Sequence, residues 1–335
     1  MPYRTAGAPR LIEATPERIV PWAPDAQVIY EHYHRYLWTQ PLVAGRRVLD
    51  LGSGEGFGAA LLADTAAAVT GVDVDARAVA HSRVNYEAPN LKFREASATD
   101  LSAFGDDSFD AVVAFEMIEH VAEHEQVLAE VARVLGPGGI LVMSTPERRA
   151  YSDDRDFVNP HHVRELTQEE FTALLRSRFR GLALFAQRAV AGSRIEVIGG
   201  ARGGGHTVRI ERVEDDWRVA GTPSPLYLVA VASNEELPEL PGESSLFDYG
   251  LEVLEERQAT VEQLLQELRE RREQLLAAYA RAERAELAEK TMRETVAWRL
   301  HERLQPLVYR YLGEDTTIGR ALRRLTTRVY EALNR

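Results

Sequence analysis

Cysteine does not occur in this chain of 335 residues. A sequence without cysteine holds neither a disulfide framework nor a thiolate-ligated metal site. The chain also lacks a run of eighteen apolar residues and lacks a basic-then-apolar stretch at its start. We therefore expect no membrane-spanning helix and no signal peptide. Together these absences favour a cytoplasmic protein.

The chain has fewer basic than acidic residues, with 40 lysines and arginines and 52 aspartates and glutamates, so its net charge is -12. A surplus of acidic groups argues against a nucleic acid as the partner. The charge is uneven, however. From Val296 to the end of the chain, eight arginines face four acidic residues, so this tail carries about +4 and the rest about -16. An acidic body with a basic tail predicts that the tail is an interaction segment.

Short apolar runs alternate with helical segments along the first 150 residues. The predicted strands are Arg47–Leu51, Ala68–Val74, Leu91–Glu95, Asp110–Phe115 and Gly139–Ser144. The predicted helices are Ala59–Ala67, Ala76–Tyr86 and a long stretch from the fourth strand through Leu135. Strands that alternate with helices predict a parallel, doubly wound α/β sheet.

The pattern changes after this region. Leu182–Val190 and Leu226–Ala232 are typical of strands, yet no crossover helix separates them, so we expect an antiparallel pair that closes the sheet. A glycine-rich insert at Gly199–Gly205 and an alternating segment at Thr207–Val213 lie between them. The predicted domains are an N-terminal helical segment at 1–40, an α/β domain at 41–235, a linker at 236–250 and a helical extension at 251–335.

The extension begins with a stretch from Leu251 to Thr295 that contains neither glycine nor proline. Apolar residues recur every seven positions at Leu254, Val261, Leu268, Leu275 and Ala282. This repeat predicts a coiled coil that forms a homo-oligomer, and the alternative is a solvated helix packed on its own domain. Pro306 and Gly313 are expected to divide the tail. Ile318–Leu333 then reads as an arginine-rich amphipathic helix that suits an anionic membrane surface or an acidic partner protein.

The stretch VLDLGSGEGFG places a glycine at every second position from Gly52 to Gly58, directly after the first predicted strand. Glycine costs conformational entropy on folding, and its usual benefit is a turn whose backbone approaches a ligand closely. A dinucleotide fold would show GxGxxG here. The third glycine of that fingerprint is replaced by Phe57, so a dinucleotide site is not indicated.

Five motifs in order resemble those of class I S-adenosylmethionine (SAM)-dependent methyltransferases. They are VLDLGSGEGFG, GVDVD, REASATDL, FDAVVAFEMIEHV and LGPGGILVMSTPE. The resemblance implies a Rossmann-like, seven-stranded sheet that is mostly parallel with an antiparallel closing strand. It also implies SAM as the cofactor.

The resemblance assigns cofactor-binding positions. They are the turn residues Gly52, Ser53, Gly54 and Gly56, the acids Asp50, Asp73 and Glu116, and Val74, Ser97 and Ala98 near the adenine. Asp73 at a strand end suits both ribose hydroxyls, because a carboxylate accepts two hydrogen bonds side by side. The alternatives are that Asp50 only orients the turn and that Asp73 is a surface acid.

Two segments upstream, Glu17–Pro21 (ERIVP) and Glu31–Tyr36 (EHYHRY), resemble a lid over the cofactor in one subgroup of the family. The resemblance places Arg35 or Tyr36 near the SAM carboxylate, and a planar guanidinium suits that group. The alternative is an amphipathic helix that packs on the sheet edge.

Methyl transfer from a sulfonium needs alignment and, for an alcohol acceptor, removal of a proton. The candidate groups follow the fourth and fifth strands, where open α/β sheets bind ligands. We predict catalytic roles for Glu116, His120 and His162. The alternatives are a packing or capping role for His120 and a loop-anchoring role for His162. A metal on His120 and His124 is not expected, because the residues between them are not those of zinc proteases, and we predict no metal ligands.

The same subgroup contains methyltransferases encoded with bacterial polysaccharide and glycan assembly enzymes. The resemblance therefore implies O-methylation of a sugar or glycan, and the basic terminal helix is expected to bring the enzyme to the inner face of the membrane. Glu147 stands where the family often has asparagine, which leaves the acceptor open. The alternatives are a small-molecule O- or N-methyltransferase and a non-catalytic scaffold that acts through its coiled coil.

Overall fold

A computed structural model describes residues 12, 19–21, 26–190, 208–213, 216–221, 224–248, 252–312 and 316–333. The chain divides into two compact units, Met1–Phe247 and Asp248–Arg335. The glycine-rich insert predicted at Gly199–Gly205 lies outside the described residues, as does Gly313.

The first unit contains an α/β sheet with its connecting helices. Its helices are α1 (Ala26–Thr39), α2 (Phe57–Leu62), α3 (Ala76–Asn85), α4 (His124–Val134), α5 (Arg148–Tyr151) and α6 (Gln168–Arg176), with a 3-10 turn at Ile118–His120. Its strands are β1 (Arg47–Leu51), β2 (Ala68–Asp73), β3 (Leu91–Glu95), β4 (Phe109–Ala114), β5 (Leu135–Pro146), β6 (Gly181–Gln187), β7 (Ile210–Val213), β8 (Asp216–Val219) and β9 (Tyr227–Ser233).

Seven strands form one sheet in the order β3-β2-β1-β4-β5-β9-β6. The pairs from β3 to β5 are parallel, whereas β9 runs antiparallel to both β5 and β6. The predicted sheet with its antiparallel closing strand is therefore confirmed. Because β1, β2, β3 and β4 are parallel, their carboxyl ends meet at one edge, and the segments that follow them share that edge.

Alternate residues of each strand point to opposite faces of the sheet and fill two core layers. In β4, Val112 and Ala114 belong to one layer, and Ala111 and Val113 belong to the other. Helix α4 packs Val127, Leu128 and Val131 into the first layer. The second layer takes Tyr36 of α1 and the apolar residues of α2. Both faces are covered, as a buried parallel sheet requires.

Several boundaries differ from the prediction. Strand β5 begins at Leu135 instead of Gly139, because Leu135 pairs with Phe109 and a register shift lets the strand pass the Gly-Pro-Gly residues. The helix predicted directly after β4 is broken into the turn at Ile118–His120 and α4. Glu116 has a φ of +49°, which stops a right-handed helix at that point. The alternating segment predicted at Thr207–Val213 contributes only β7, which pairs with β8 in a separate two-stranded sheet.

The second unit consists, over its described residues, of helices α7 (Glu252–Glu294), α8 (Val296–Leu312) and α9 (Thr317–Leu333). The predicted long helix and the predicted terminal helix are both present. The division at Pro306 is wrong, because α8 continues through this proline at the cost of a backbone hydrogen bond. Among the helices described, none is both long and apolar enough to cross a membrane.

Candidate active site

The glycine turn after β1 has backbone conformations that favour glycine, as expected for a turn that a ligand approaches closely. Gly52 and Gly54 have φ angles of +78° and +52°, a region that side chains with a Cβ rarely adopt. A Cβ on Gly52 would also lie 2.8 Å from Cγ of Met117. At Gly54, by contrast, a Cβ would meet nothing within 4 Å, so this part of the turn faces open space. The turn thus presents backbone where a ligand can approach it.

Asp73, at the carboxyl end of β2, holds this turn in place. Its Oδ2 accepts a hydrogen bond of 2.8 Å from the Gly54 amide, and its Oδ1 accepts one of 2.9 Å from the Asp75 amide. A carboxylate offers about four acceptor positions, so each oxygen retains one lone pair for a ligand hydroxyl. The neighbouring Val74 is 73% exposed. Asp73 therefore orders the turn in addition to the ribose contact that we predict for it.

Asp50, within β1, is fully buried and accepts a hydrogen bond of 3.2 Å from the Tyr36 hydroxyl. The Tyr36 ring occupies the space that a Cβ at Gly58 would fill, which explains the fourth glycine of the motif. Burial raises the pKa of Asp50 from 3.8 to about 7; the Tyr36 hydrogen bond opposes this shift, and the charge of Asp73 adds to it. The two residues couple α1 to the glycine turn.

This raised pKa gives a test of stability. Because the folded state favours neutral Asp50, its contribution to stability is complete below the ordinary pKa and is lost as the pH rises through about 7. We expect Asp50→Asn to be more stable than the parent at pH 8 by about 4 kcal/mol and to show a flatter pH dependence. Urea unfolding between pH 4 and pH 8 measures this. Asp110→Asn is the matched control, since Arg47 lowers the pKa of Asp110 and the change there is destabilising. Equal pH slopes for Asp50→Asn and the parent would contradict the assignment.

Ser97 and Ala98 lie in the turn that follows β3, on the same edge of the sheet. The Ser97 hydroxyl lies 2.8 Å from the Thr99 hydroxyl and accepts a bond of 3.2 Å from the Thr99 amide. Ala98 is half-buried against the core. The structure thus brings the predicted adenine positions to the edge that carries the glycine turn. Their predicted contact with adenine remains a prediction.

Arg35 of α1 is 2% exposed, although it carries a charge. Its Nη1 lies 3.3 Å from Oε1 of Glu116, its Nε donates a 2.6 Å hydrogen bond to Gln187, and its guanidinium lies 4.6 Å from the centre of the Tyr227 ring. Both Nη atoms lack a hydrogen-bond partner. A buried guanidinium with such spare donors suits a carboxylate or another polar ligand group.

Glu116 directly follows β4 and faces both Arg35 and β5. The Ser144 hydroxyl donates a hydrogen bond of 2.5 Å to Glu116 Oε1, and the Glu116 amide donates one of 3.2 Å back to the Ser144 oxygen. Sequence reasoning missed Ser144, Gln187 and Tyr227. Ser144 lies within the motif of β5, but its contact with Glu116 depends on the pairing of β4 with β5. Gln187 and Tyr227 lie on the closing strands β6 and β9, far from the motifs, so only the strand pairing brings them here.

Glu31 is a further buried acid that was not singled out. It is 2% exposed, its Oε1 accepts a hydrogen bond of 3.1 Å from Gln27, and burial raises its pKa. Its backbone oxygen accepts a bond of 2.9 Å from Gln187, the residue that also binds Arg35. The sequence signal for Glu31 is its position as the first residue of the EHYHRY segment. Glu31 stands four residues before Arg35, one helical turn away on the same face.

A second missed acid, Glu55, lies inside the glycine motif. It is 1% exposed and accepts hydrogen bonds of 2.7 Å from the Tyr86 hydroxyl to both carboxylate oxygens, while the His81 Nε2 lies 3.0 Å away. The Phe57 amide also donates to it at 3.1 Å. This network ties the turn to α3 and makes the turn rigid.

His120 and His162 come together, although 41 residues separate the loops that hold them. Their rings are 5.1 Å apart in an edge-to-face arrangement. His120 Nδ1 lies 3.2 Å from the backbone oxygen of His161. His162 Nδ1 lies 2.6 Å from Oε1 of Glu165, and its Nε2 lies 2.9 Å from the Asn159 amide nitrogen. The bonds of His162 favour the loop-anchoring alternative for this residue.

Glu119, beside His120, is 1% exposed. Its backbone oxygen accepts hydrogen bonds from the amides of Val163 and Arg164, which brings the His162 loop against the turn after β4. Burial, together with the charge of Glu116, raises the pKa of the Glu119 carboxyl well above its usual range. His124 is also buried, at the start of α4, and burial lowers its pKa.

Comparison with known proteins agrees with this geometry. Residues 49–143 match the model of a methyltransferase domain family. A probable S-adenosylmethionine-dependent methyltransferase of Mycolicibacterium smegmatis is 40% identical over 178 residues, which are 50% of this chain and 65% of that protein. One of Mycobacterium tuberculosis is 38% identical over 182 residues, 52% of this chain and 63% of the relative.

A ubiquinone biosynthesis O-methyltransferase of Thiobacillus denitrificans is 37% identical over 120 residues, which are 35% of this chain and 52% of that enzyme. The chain thus spans less than two thirds of the length of each of these three relatives. The matched portion contains the glycine turn, Asp73 and the segment after β4.

Proposed function

We propose that this chain is a class I S-adenosylmethionine-dependent methyltransferase that transfers the methyl group of SAM to a hydroxyl of a sugar or glycan. The match of residues 49–143 to a methyltransferase domain family supports this proposal, as does the 40% identity over 178 residues with a probable S-adenosylmethionine-dependent methyltransferase. SAM is the cofactor of this superfamily. The observation that carries the proposal is the open, left-handed glycine turn held by Asp73 at the carboxyl edge of the sheet.

The glycine turn after β1 and the Asp73 carboxylate fit SAM. Gly54 leaves open space beside its backbone, and Asp73 keeps a lone pair on each oxygen after binding two amides. When bound, SAM supplies an electrophilic methyl group. The backbone of Gly52, Ser53, Gly54 and Gly56 then positions the methionine part, while Asp50 and Tyr36 hold the floor of the site.

The acceptor side is built from polar groups. Glu116 and Ser144 form one hydrogen-bonded pair, His120 follows Glu119 in the turn after β4, and His162 of the loop after β5 packs against His120. A surface with several carboxylate, hydroxyl and imidazole groups suits an acceptor with several hydroxyls, because each buried hydroxyl needs a partner. Glu116 or His120 takes the proton from the reacting hydroxyl, and the loops align that oxygen with the methyl group.

A second candidate acceptor is a small phenolic molecule. The relatives include ubiquinone biosynthesis O-methyltransferases, at 35% to 38% identity over about a third of this chain. The polar acceptor side favours the sugar, whereas these relatives favour the phenol.

Transfer of a labelled methyl group decides between the acceptors. The full chain is incubated with [methyl-³H]SAM and matched panels of nucleotide sugars, short glycans and catechols, and label in the acceptor is counted. Label confined to sugars supports the proposal. Label confined to catechols shows that the acceptor is the phenolic molecule instead of the sugar. If SAM binds by calorimetry but no acceptor is labelled, the non-catalytic scaffold is favoured; if SAM does not bind, the proposal fails.

We further propose that α7 forms a homo-oligomeric coiled coil and that the basic tail brings the enzyme to the inner face of the membrane. The seam residues Val261, Leu268 and Leu275 are each more than half exposed in the single chain. An isolated helix gains little stability without a packed apolar face, so this one is expected to find a partner.

Two substitutions test the oligomer without removing the helix. Leu268→Glu combined with Leu275→Glu places charges in the seam, and we expect the oligomer to become a monomer at micromolar concentration while SAM binding is unchanged. Leu287→Glu is the matched control, because Leu287 is equally exposed but lies outside the seam. Light scattering measures the mass. A parent chain that is already monomeric, or an unchanged mass after the double substitution, would reject the coiled coil.

A further inference from the structure

Three potential metal ligands converge where the turn after β4 meets the loop that follows β5. Over the part of the chain that the structure describes, Glu119, His120 and His162 form a group whose ligand atoms all lie within 4.8 Å of one another. They comprise one carboxylate oxygen and one nitrogen of each imidazole. Two imidazoles and a carboxylate form a donor set that binds divalent transition-metal ions.

The carboxylate of Glu119 gives a second, independent indication. Its Oε2 accepts a hydrogen bond of 3.3 Å from the Thr145 hydroxyl, whereas its Oε1 is buried and has no hydrogen-bond partner. Buried carboxylate oxygens are normally satisfied by donors or by a cation, because an unpaired one is costly. Oε1 is thus an unsatisfied acceptor beside two histidines.

Both imidazoles are held by acceptors on their Nδ1 atoms. His120 Nδ1 faces the backbone oxygen of His161, and His162 Nδ1 faces the Glu165 carboxylate. Because a carbonyl and a carboxylate only accept, each Nδ1 carries the proton and each Nε2 carries the lone pair. Histidine ligands in metal sites are typically oriented by such a partner on the other nitrogen.

The Asn159 amide lies where the ion would approach His162. Its Nδ2 donates a hydrogen bond of 2.9 Å to Nε2 of His162, while its Oδ1 accepts a bond of 3.0 Å from the His161 amide. The N–H group of Asn159 therefore lies where the metal ion would bind to Nε2 of His162. Rotation of the Asn159 side chain is therefore part of binding.

We propose that Glu119, His120 and His162 bind one divalent transition-metal ion of the zinc or manganese class. Ligands of such an ion lie about 3.4 Å apart when the bonds are about 2.1 Å long and tetrahedral, so the three side chains close by about 1 Å. Three protein ligands leave a coordination position open. The use of that position, to bind the acceptor hydroxyl and lower its pKa, rests on the proposed methyl transfer, whereas binding of the ion does not.

This site differs from the one that the sequence argued against. That expectation concerned His120 and His124, which are four residues apart. In the structure His124 begins α4 and does not join the group, and Glu119 and His162 take its place. The proposal departs from the expectation of no metal ligands and concerns a different set of residues, which spans two loops.

Cobalt titration of the full-length chain tests the proposal. The visible absorption of Co²⁺ reports the ligands directly, and metal analysis after dialysis gives the stoichiometry. We expect one Co²⁺ per chain and, because loss of an orienting partner alone costs about 10–100-fold, a loss of more than about 100-fold in affinity for His162→Ala. Glu165→Gln, which removes the charge of that partner but keeps an acceptor oxygen, is expected to lose affinity at the lower end of that range, about 10-fold. His161→Ala is the matched control, because its exposed ring is outside the group and its backbone oxygen remains.

The proposal is overturned if Co²⁺ does not saturate the parent at concentrations up to about 1 mM. It is equally overturned if His162→Ala and Glu165→Gln bind Co²⁺ as the parent does, or if His161→Ala loses as much affinity. Far-UV circular dichroism and thermal unfolding, measured on each variant, show whether the fold is intact. Since methyl transfer is not the readout, a failure of the proposed function leaves this result unchanged.

Discussion

Asp73→Ala is expected to weaken SAM binding by roughly 30–150-fold. Two charge-assisted hydrogen bonds to ribose hydroxyls are worth about 2–3 kcal/mol together, which corresponds to that range. The structure adds a second reason for a large effect. Asp73 also anchors the Gly54 amide, so its removal loosens the turn to which we assign the cofactor in our proposal.

Calorimetry on the folded variant measures this loss. Asp75→Ala is the matched control, because Asp75 lies two residues away and its carboxylate caps α3 by accepting from the Arg77 amide at 2.8 Å. Loss of that cap is expected to cost about 1 kcal/mol of stability and to leave the SAM affinity unchanged. An unchanged dissociation constant for Asp73→Ala would remove Asp73 from the site.

His120→Ala is expected to lower kcat by about 10²–10⁴-fold at pH 7, the usual contribution of a general base. His161→Ala is the control for a neighbouring, exposed histidine. If His120→Ala and His162→Ala both keep full turnover at pH 7, alignment alone accounts for catalysis.

Metal dependence separates two ways in which His120 acts. As a base, His120 supports turnover that chelators do not change. As a metal ligand, it makes turnover depend on added metal, and chelators abolish turnover. Both tests use the same full-length chain.

The first half of the fold could be predicted because its signals are local. β1 and β2 are short, largely apolar runs, and β3 begins with apolar residues that alternate with lysine and arginine. Glycine or polar residues next to these strands define their ends within a residue or two. β5 was less predictable. Its extension to Leu135 depends on pairing with Phe109 across a register shift. The spacing of apolar residues in the two segments does not predict this pairing.

The sequence located the cofactor side of the candidate site and, on the acceptor side, Glu116, His120 and His162, but it did not locate the partners of these side chains. Gly52, Gly54 and Asp73 belong to compact motifs whose turn chemistry is readable. The partners of Arg35 and Glu116 come instead from β5, β6 and β9. Those strands are neighbours in the order β5-β9-β6, which differs from their order in the chain. Their side chains therefore meet only when the sheet has formed.

The amino-acid sequence by itself determined the α/β class, the glycine turn and the long helix, because each follows from interactions between residues close together in the chain. Only the tertiary structure decided that Asp73 holds Gly54, that Tyr36 covers Gly58, and that Glu119 and the two histidines converge. The physical reason is burial. A charged or polar group placed inside the protein must find a partner, and folding supplies that partner from a distant segment.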